Sequence, residues 1–252
     1  MTVELLDAAP LPATHTGRLL VTQRSAEDRR YRSVGFLTYD GSAYSFAYLQ
    51  SAVGQAWFRP LPGLARVGQP YVSGELFPLF RERLLSPRRP DYGATLAALD
   101  LPAEAEPFEV LGRSGGHRAG DSVEVIPVPV PDSDGHVSMS FFAHGVRHMS
   151  QEAQSAIAGL RRGEALGLVH ESSNEVNDRA LLVTHRGALR LGYVPDPLVG
   201  FVHEVRRAEH RLTVERANGL DVPFHYRLLI RVDGFVSADH VPFSGSEWTT
   251  VS

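Results

Sequence analysis

Apolar positions along the chain alternate between two periods. GRLLVTQ (17–23) and SVGFLTY (33–39) are short β-prone runs, with the polar segment RSAEDRRYR between them. GELFPLFRERLL (74–85) places Leu76, Leu79, Phe80, Leu84 and Leu85 near helical spacing, and Pro78 is then tolerable only in the first turn. SPRRPDY breaks the chain. YGATLAALDL and EPFEVLGRS read as two further short helices, and DSVEVIPV as a closing strand. Beyond residue 136 strands dominate. VSMSFFAHGV (137–146) is a strand, QEAQSAIAGL a helix with Ser150 as its N-cap, and EALGLVHE a strand that runs into the polar SSNEVND. ALLVT and ALRLGYV flank the turn HRG as a hairpin. DPLVGFVHEVRRA is an amphipathic helix started by Pro197, and RLTVERA and FHYRLLIRV are two more strands. Five or six strands with two helices in this half predict a small, partly closed barrel.

The segment IPVPVPDSDGH (126–136) divides the chain. Its alternating prolines stiffen an extended connection, and its Asp/Ser/Gly cluster turns it. The expected organisation is an α+β domain over 17–128, a linker over 129–136 and a second domain over 137–244 that forms the barrel. Residues 1–16 and 245–252 are expected to be flexible ends.

Composition then narrows the chemistry. All 25 basic residues are arginine, so the lysine of a phosphate-binding loop, of a kinase or of a Schiff base is missing. There is no cysteine, which removes disulfides, thiolate metal sites and thiol nucleophiles and fits a reducing cytoplasm. No apolar run is long enough for a membrane span, and the N-terminal segment lacks a secretory pattern. Net charge is −4, with no basic half. The string GRSGGHRAG (112–120) runs from helix to strand, the reverse of a phosphate loop, and reads as a helix C-cap with Gly115 or Gly116 at positive φ. His144 and His148 lie four apart on a strand end, and His203-Glu204 begins a HExxH pattern that Arg207 breaks. No nucleophile elbow or carboxylate pair stands out. The expectation is a protein that is not an enzyme and has no cofactor and no metal.

From Phe141 to about Val205 the chain resembles a HIRAN domain. The residues that carry the likeness are Gly145-Val146-Arg147 after the first strand, Asn174, Asn177 and Ala180 in and after the polar loop, and Gly192-Tyr193-Val194-Pro195 closing the hairpin, followed by a helix. The resemblance implies a barrel like those that bind oligonucleotides, and recognition of single-stranded DNA or DNA 3′ ends. It further implies a pocket built from Arg147, His148, Asn174, Asn177 and Tyr193. The family places aromatics after the arginine and in the polar loop, with a carboxylate beside the second one, and a basic residue after the Gly-Tyr-Val-Pro element. This chain has His148, Val176, Asn177 and Asp196 there. Asn174 and Asn177 also suit Asx turns within their own loop.

The first half, from Gly17 to Pro127, resembles the small N-terminal domain of HipA-type kinases. The likeness rests on the Phe36…Tyr39 strand, LFPLFRERLL and FEVLGRSGGHRAGDSVEVIP. The lysine and catalytic loop of such a kinase do not occur in these residues, so the resemblance implies a module expected to dock a protein partner such as a HipA-type kinase. Arg161, Arg162, Arg206, Arg207 and Arg211 are the clustered bases of the second half. They predict either a basic patch beside the pocket or charges facing helix C-terminal dipoles. Two functional expectations follow. One is a non-catalytic binder of single-stranded DNA or 3′ ends. The other is an interaction regulator, antitoxin-like or a defence-complex subunit, in a bacterial cytoplasm.

Overall fold

The computed structural model describes residues 17–25, 30–118 and 122–252. The expected flexible N-terminus, residues 1–16, lies outside the described residues. Two antiparallel sheets make an α+β architecture. The first has the order β4-β3-β2-β1-β5, from β1 (Gly17–Arg24), β2 (Tyr31–Tyr39), β3 (Tyr44–Tyr48), β4 (Tyr71–Ser73) and β5 (Val123–Pro127). Between β4 and β5 lie α1 (Pro78–Arg81), α2 (Tyr92–Ala98) and α3 (Pro107–Ser114).

Local chemistry explains these helices. Pro78 and Pro107 each occupy the first turn, where no amide hydrogen is needed. α3 ends at Gly115 (φ 70) and Gly116 (φ 63), both in the left-handed region, and the Val125 amide donates to the Gly115 carbonyl at 2.9 Å. The glycine string is therefore a cap that turns the chain from α3 into β5.

The second sheet has the order β6-β11-β10-β7-β8-β9, from β6 (His136–Phe142), β7 (Ala165–His170), β8 (Leu181–His185), β9 (Leu189–Tyr193), β10 (His210–Ala217) and β11 (Leu228–Phe235). α4 (Gln151–Ile157) follows β6, with the Ser150 hydroxyl accepting from the Ala153 amide, and α5 (Val199–Val205) follows β9. The expected barrel is corrected here. The sheet does not close strand against strand. Its two edges touch at one bridge, where His144 and Tyr193 exchange two backbone hydrogen bonds of 2.9 Å. β9 reaches that bridge because a bulge at Leu191 leaves Gly192 at φ 153.

The final residues are also corrected. Expected as a loose tail, they pair with the first sheet: Thr250 bridges Leu49, and the Val251 amide donates to the Tyr48 carbonyl at 2.9 Å. Phe243 and Trp248, set edge to face at 4.7 Å, cover Phe36 and so complete the first core. The contact of the half-buried Trp248 with Phe36 and Phe243 offsets the entropy of ordering a short tail.

A third cluster joins the halves. Leu96, Leu99, Leu101 and Val110 pack with Phe142 and Leu229. The loop between β10 and β11 docks on the first half, with the Asn218 amide donating to the Ala98 carbonyl at 2.8 Å and the Tyr226 hydroxyl to the Ser114 carbonyl at 3.2 Å. A bulge at Glu215 in β10 aims its carboxylate at Arg162, which also binds Asp100 of the first half. Because Arg162 is largely exposed, Arg162→Ala is expected to cost about 1 kcal/mol or less. Urea unfolding followed at two probes should keep a single transition. Two separated transitions would mean that the apolar cluster alone does not couple the halves.

Candidate functional site

The polar loop from residue 171 to 180 joins β7 to β8, and its side chains are turned on one another. Glu171 accepts from Asn174 Nδ2 at 2.9 Å and from the Tyr193 hydroxyl at 2.7 Å, and it pairs with Arg190. Arg190 also donates to the Tyr193 hydroxyl at 3.1 Å. Hydrogen bonds from Asn174 and then from Tyr193 hold the Glu171 carboxyl below the usual range. Asn174 Oδ1 accepts from the amides of Val176 (3.0 Å) and Asn177 (3.2 Å), which is an Asx turn. Asn177 Oδ1 accepts from the Arg179 amide at 2.9 Å, and its amide nitrogen donates to Asp196. Both asparagines thus have their oxygens, and one amide donor each, committed to the protein itself.

Arg147 and His148 do not join this network. They lie on a single turn, Val146–His148, entered through Gly145 at φ 71. Arg147 Nε donates to His148 Nε2 at 2.9 Å. The five residues expected to share one pocket therefore separate into a self-bonded loop (Asn174, Asn177, Tyr193) and an exposed pair (Arg147, His148). His148 alone spans the gap, since it also borders a recess of about 570 Å³ that includes Tyr193 and Arg190.

The arginine patch separates too. Arg162 ties the halves together, and Arg207 pairs with Glu204 at 2.7 Å, three residues back in α5. Arg206 caps the C-terminal end of α5, and Arg161 donates its backbone amide to Glu164. Arg162 sits opposite Glu215, near the end of β10, whereas Arg206 and Arg207 precede its start. Five residues of strand, about 16 Å, separate the two positions.

The arrangement with chemistry in it is a cleft of about 530 Å³ between the halves. Its floor is Glu124 of β5, 4% exposed. Glu124 Oε1 lies 3.0 Å from His144 Nε2 and 3.5 Å from His117 Nε2. The His225 ring lies tilted against His117 at 4.8 Å and edge to face with Tyr226 at 4.1 Å. Arg147, Tyr31 and Phe224 stand on the rim. Each element contributes for a local reason. The Gly115-Gly116 cap swings His117 over β5, the bridge with Tyr193 fixes His144, and the Tyr226 hydroxyl pins His225 against the first half.

Burial alone would push the Glu124 carboxyl up, but the charge and hydrogen bond of His144, with smaller effects from His117 and His225, bring it below its ordinary value. His144 loses hydration, yet the Glu124 charge and hydrogen bond outweigh that loss and raise it. Burial lowers His117, and the nearby His144 charge adds to the effect. Loss of hydration and then His117 lower His225. One ring is thus biased towards the imidazolium and two towards the neutral base. Among the described residues no group of three or more His, Asp or Glu is arranged to hold a metal ion.

No protein-family model matches the chain, and no curated protein matches it. Among solved structures it is similar to a crystal structure of a protein from Lactobacillus plantarum, at 18% identity and a TM-score of 0.31, over 41% of this chain and 100% of that one. It is also similar to the crystal structure of the HIRAN domain of human HLTF, at 15% identity and a TM-score of 0.30, over 40% of this chain and 80% of that one. Neither supports the resemblance of the first half to HipA-type kinases. No described helix is long and apolar enough to cross a membrane.

Proposed function

We propose that the protein binds single-stranded DNA, and its ends in particular, in the cleft between its halves, and that it does so without catalysis. The observation that supports this reading is the cleft lining: two guanidiniums (Arg24 and Arg147), two rings (Tyr31 and Phe224) and imidazoles around an opening of about 530 Å³. Arginine and amide contacts to phosphate, with rings for base stacking, are how sequence-tolerant single-strand sites are built. The volume is within the range of nucleotide-sized ligand sites. Phe224 is 41% exposed, and Arg227 lies 4.8 Å from its ring, so its other face is the one available to a base.

Fluorescence polarisation with labelled thymidine oligomers tests this. Binding in the micromolar range is expected, with affinity falling by about 0.7 log units per log unit of salt for each phosphate held. Arg147→Ala should weaken binding about tenfold and reduce that slope by about one phosphate. Asn177→Ala should change affinity by less than about twofold, because its amide is spent on Asp196 and its oxygen on Arg179. No binding at low salt would end the DNA reading, and a large loss on Asn177→Ala would return the site to the polar loop.

The competing reading, a regulator that docks a protein partner through residues 30–100, calls for an apolar patch there. Among the described residues of that segment, Val72 on the edge strand β4 is the exposed large hydrophobic, at 73%. One side chain is not a patch.

A further inference from the structure

This inference rests on the cleft reading above and concerns what end of a strand the cleft prefers. Glu124 is the carboxylate of the cleft, and it faces two imidazoles at once, His144 at 3.0 Å and His117 at 3.5 Å, through the same oxygen. A single carboxylate balances a single imidazolium. His144 has the shorter contact and the hydrogen bond, so it takes that role. His117 then shares that oxygen at the longer distance, and the His225 ring lies tilted against it at 4.8 Å with no carboxylate of its own in the lining. Arg147 adds a fixed positive charge at the rim. In a chain of net charge −4, this cleft concentrates cationic and proton-accepting groups with too few anions to satisfy them.

We propose that the cleft takes a phosphate monoester at the end of a strand, seated between His117, His225 and Arg147 above the His144–Glu124 pair. A monoester carries close to two negative charges at neutral pH, because its second proton leaves at a pKa of about 6. An internal phosphodiester carries one charge and a hydroxyl end none. The monoester therefore matches a second imidazolium beside the first, and the other groups do not.

A proton linkage follows. Facing His117 are Glu124 from β5, His144 from the end of β6, and His225 and Tyr226 from the loop before β11. Of these Glu124 favours the charged ring, while burial and His144 disfavour it. A dianion at hydrogen-bond distance offsets the burial, so His117 gains a proton when the monoester binds.

Titration calorimetry at about pH 7.5, in buffers of low and high ionisation enthalpy, tests this. The probes are thymidine octamers with a 5′-phosphate, a 3′-phosphate or hydroxyls at both ends, with thymidine monophosphate and inorganic phosphate as the sources without a strand. Monoester-ended octamers should bind about tenfold or more tightly than the hydroxyl-ended one, with uptake of about one proton. His117→Gln should remove the uptake. His225→Asn, on an exposed loop, should lower affinity about threefold or more while leaving the fold intact by circular dichroism. Equal binding of all three octamers would overturn the monoester preference and leave strand binding standing. Thymidine monophosphate binding with proton uptake while every octamer fails would keep the monoester site and overturn the strand. Tight monoester binding with no proton uptake would overturn the seat on His117.

Discussion

Replacing Gly192 with valine is expected to remove most of the chain's folding stability, more than about 4 kcal/mol. A Cβ at this position would lie 2.7 Å from the His144 carbonyl oxygen, 3.1 Å from the Ala143 Cβ and 3.4 Å from Val146 Cγ2. The backbone there has φ 153, which a β-branched residue does not tolerate. The contact at risk is the bridge in which the His144 carbonyl accepts from the Tyr193 amide. That bridge joins the two edges of the second sheet and also sets His144 against Glu124. Stability and the cleft should therefore fail together. Gly163→Ala is the control: its φ is 82 but nothing lies within 4 Å, so it carries backbone strain alone, about 1 kcal/mol. Urea unfolding followed by circular dichroism measures both. A valine variant within about 1 kcal/mol of the native protein would show that the sheet edges tolerate separation.

What could be read in the sequence follows from how far apart the cooperating residues lie. α3, its glycine cap and the turn into β5 are legible because Pro107 and Gly115 act within one helix length. The Ser150 cap and the β8–β9 hairpin are local in the same way. The strand Tyr44–Tyr48 was not legible. Its aromatics suit either a core or a partner-facing surface, and Phe46 and Tyr48 are fully buried because α1 and the loop over residues 58–64, distant in sequence, cover that face of the sheet. Composition marks the polar loop, but not its governing carboxylate. Glu171 meets Arg190 and Tyr193 across 19 and 22 positions, and no short motif records that pairing. The cleft is further out of reach. His117, Glu124, His144 and His225 come from both halves and span 108 positions, so only the docking of one half on the other brings them together. Spacing in the sequence pairs His144 with His148, whereas its partner is Glu124 on the other sheet.

Glu124→Gln should destabilise the protein most at about pH 5, by about 2 kcal/mol. This is below the cost of breaking a fully buried pair because His144 faces the open cleft. The sign follows from each group. His144 is raised in the folded protein, so its contribution is complete below 6.5 and fades as pH rises through the folded value. Glu124 is lowered, so its contribution is complete above 4.5 and is lost as pH falls through its folded value. The pair is therefore worth most between those two limits, and the difference between native protein and variant should shrink on both sides. His117 and His225 act in the opposite sense. The unfolded chain takes up protons near 6.5 that the folded cleft refuses, down to about 4 for His225, so the native protein loses stability as pH falls through that range. In the variant His144 keeps its burial but loses the carboxylate that raised it, and it joins the other two rings. Between 6.5 and 4.5 the variant should thus lose stability faster with falling pH than the native protein, so the difference is largest toward the acid end of that window and shrinks again only below 4.5. Urea midpoints at about pH 4, 5 and 8.5 measure the effect. A difference that stays constant across this range would mean that Glu124 acts by shape and neutral hydrogen bonding, and that the cleft holds no charged pair.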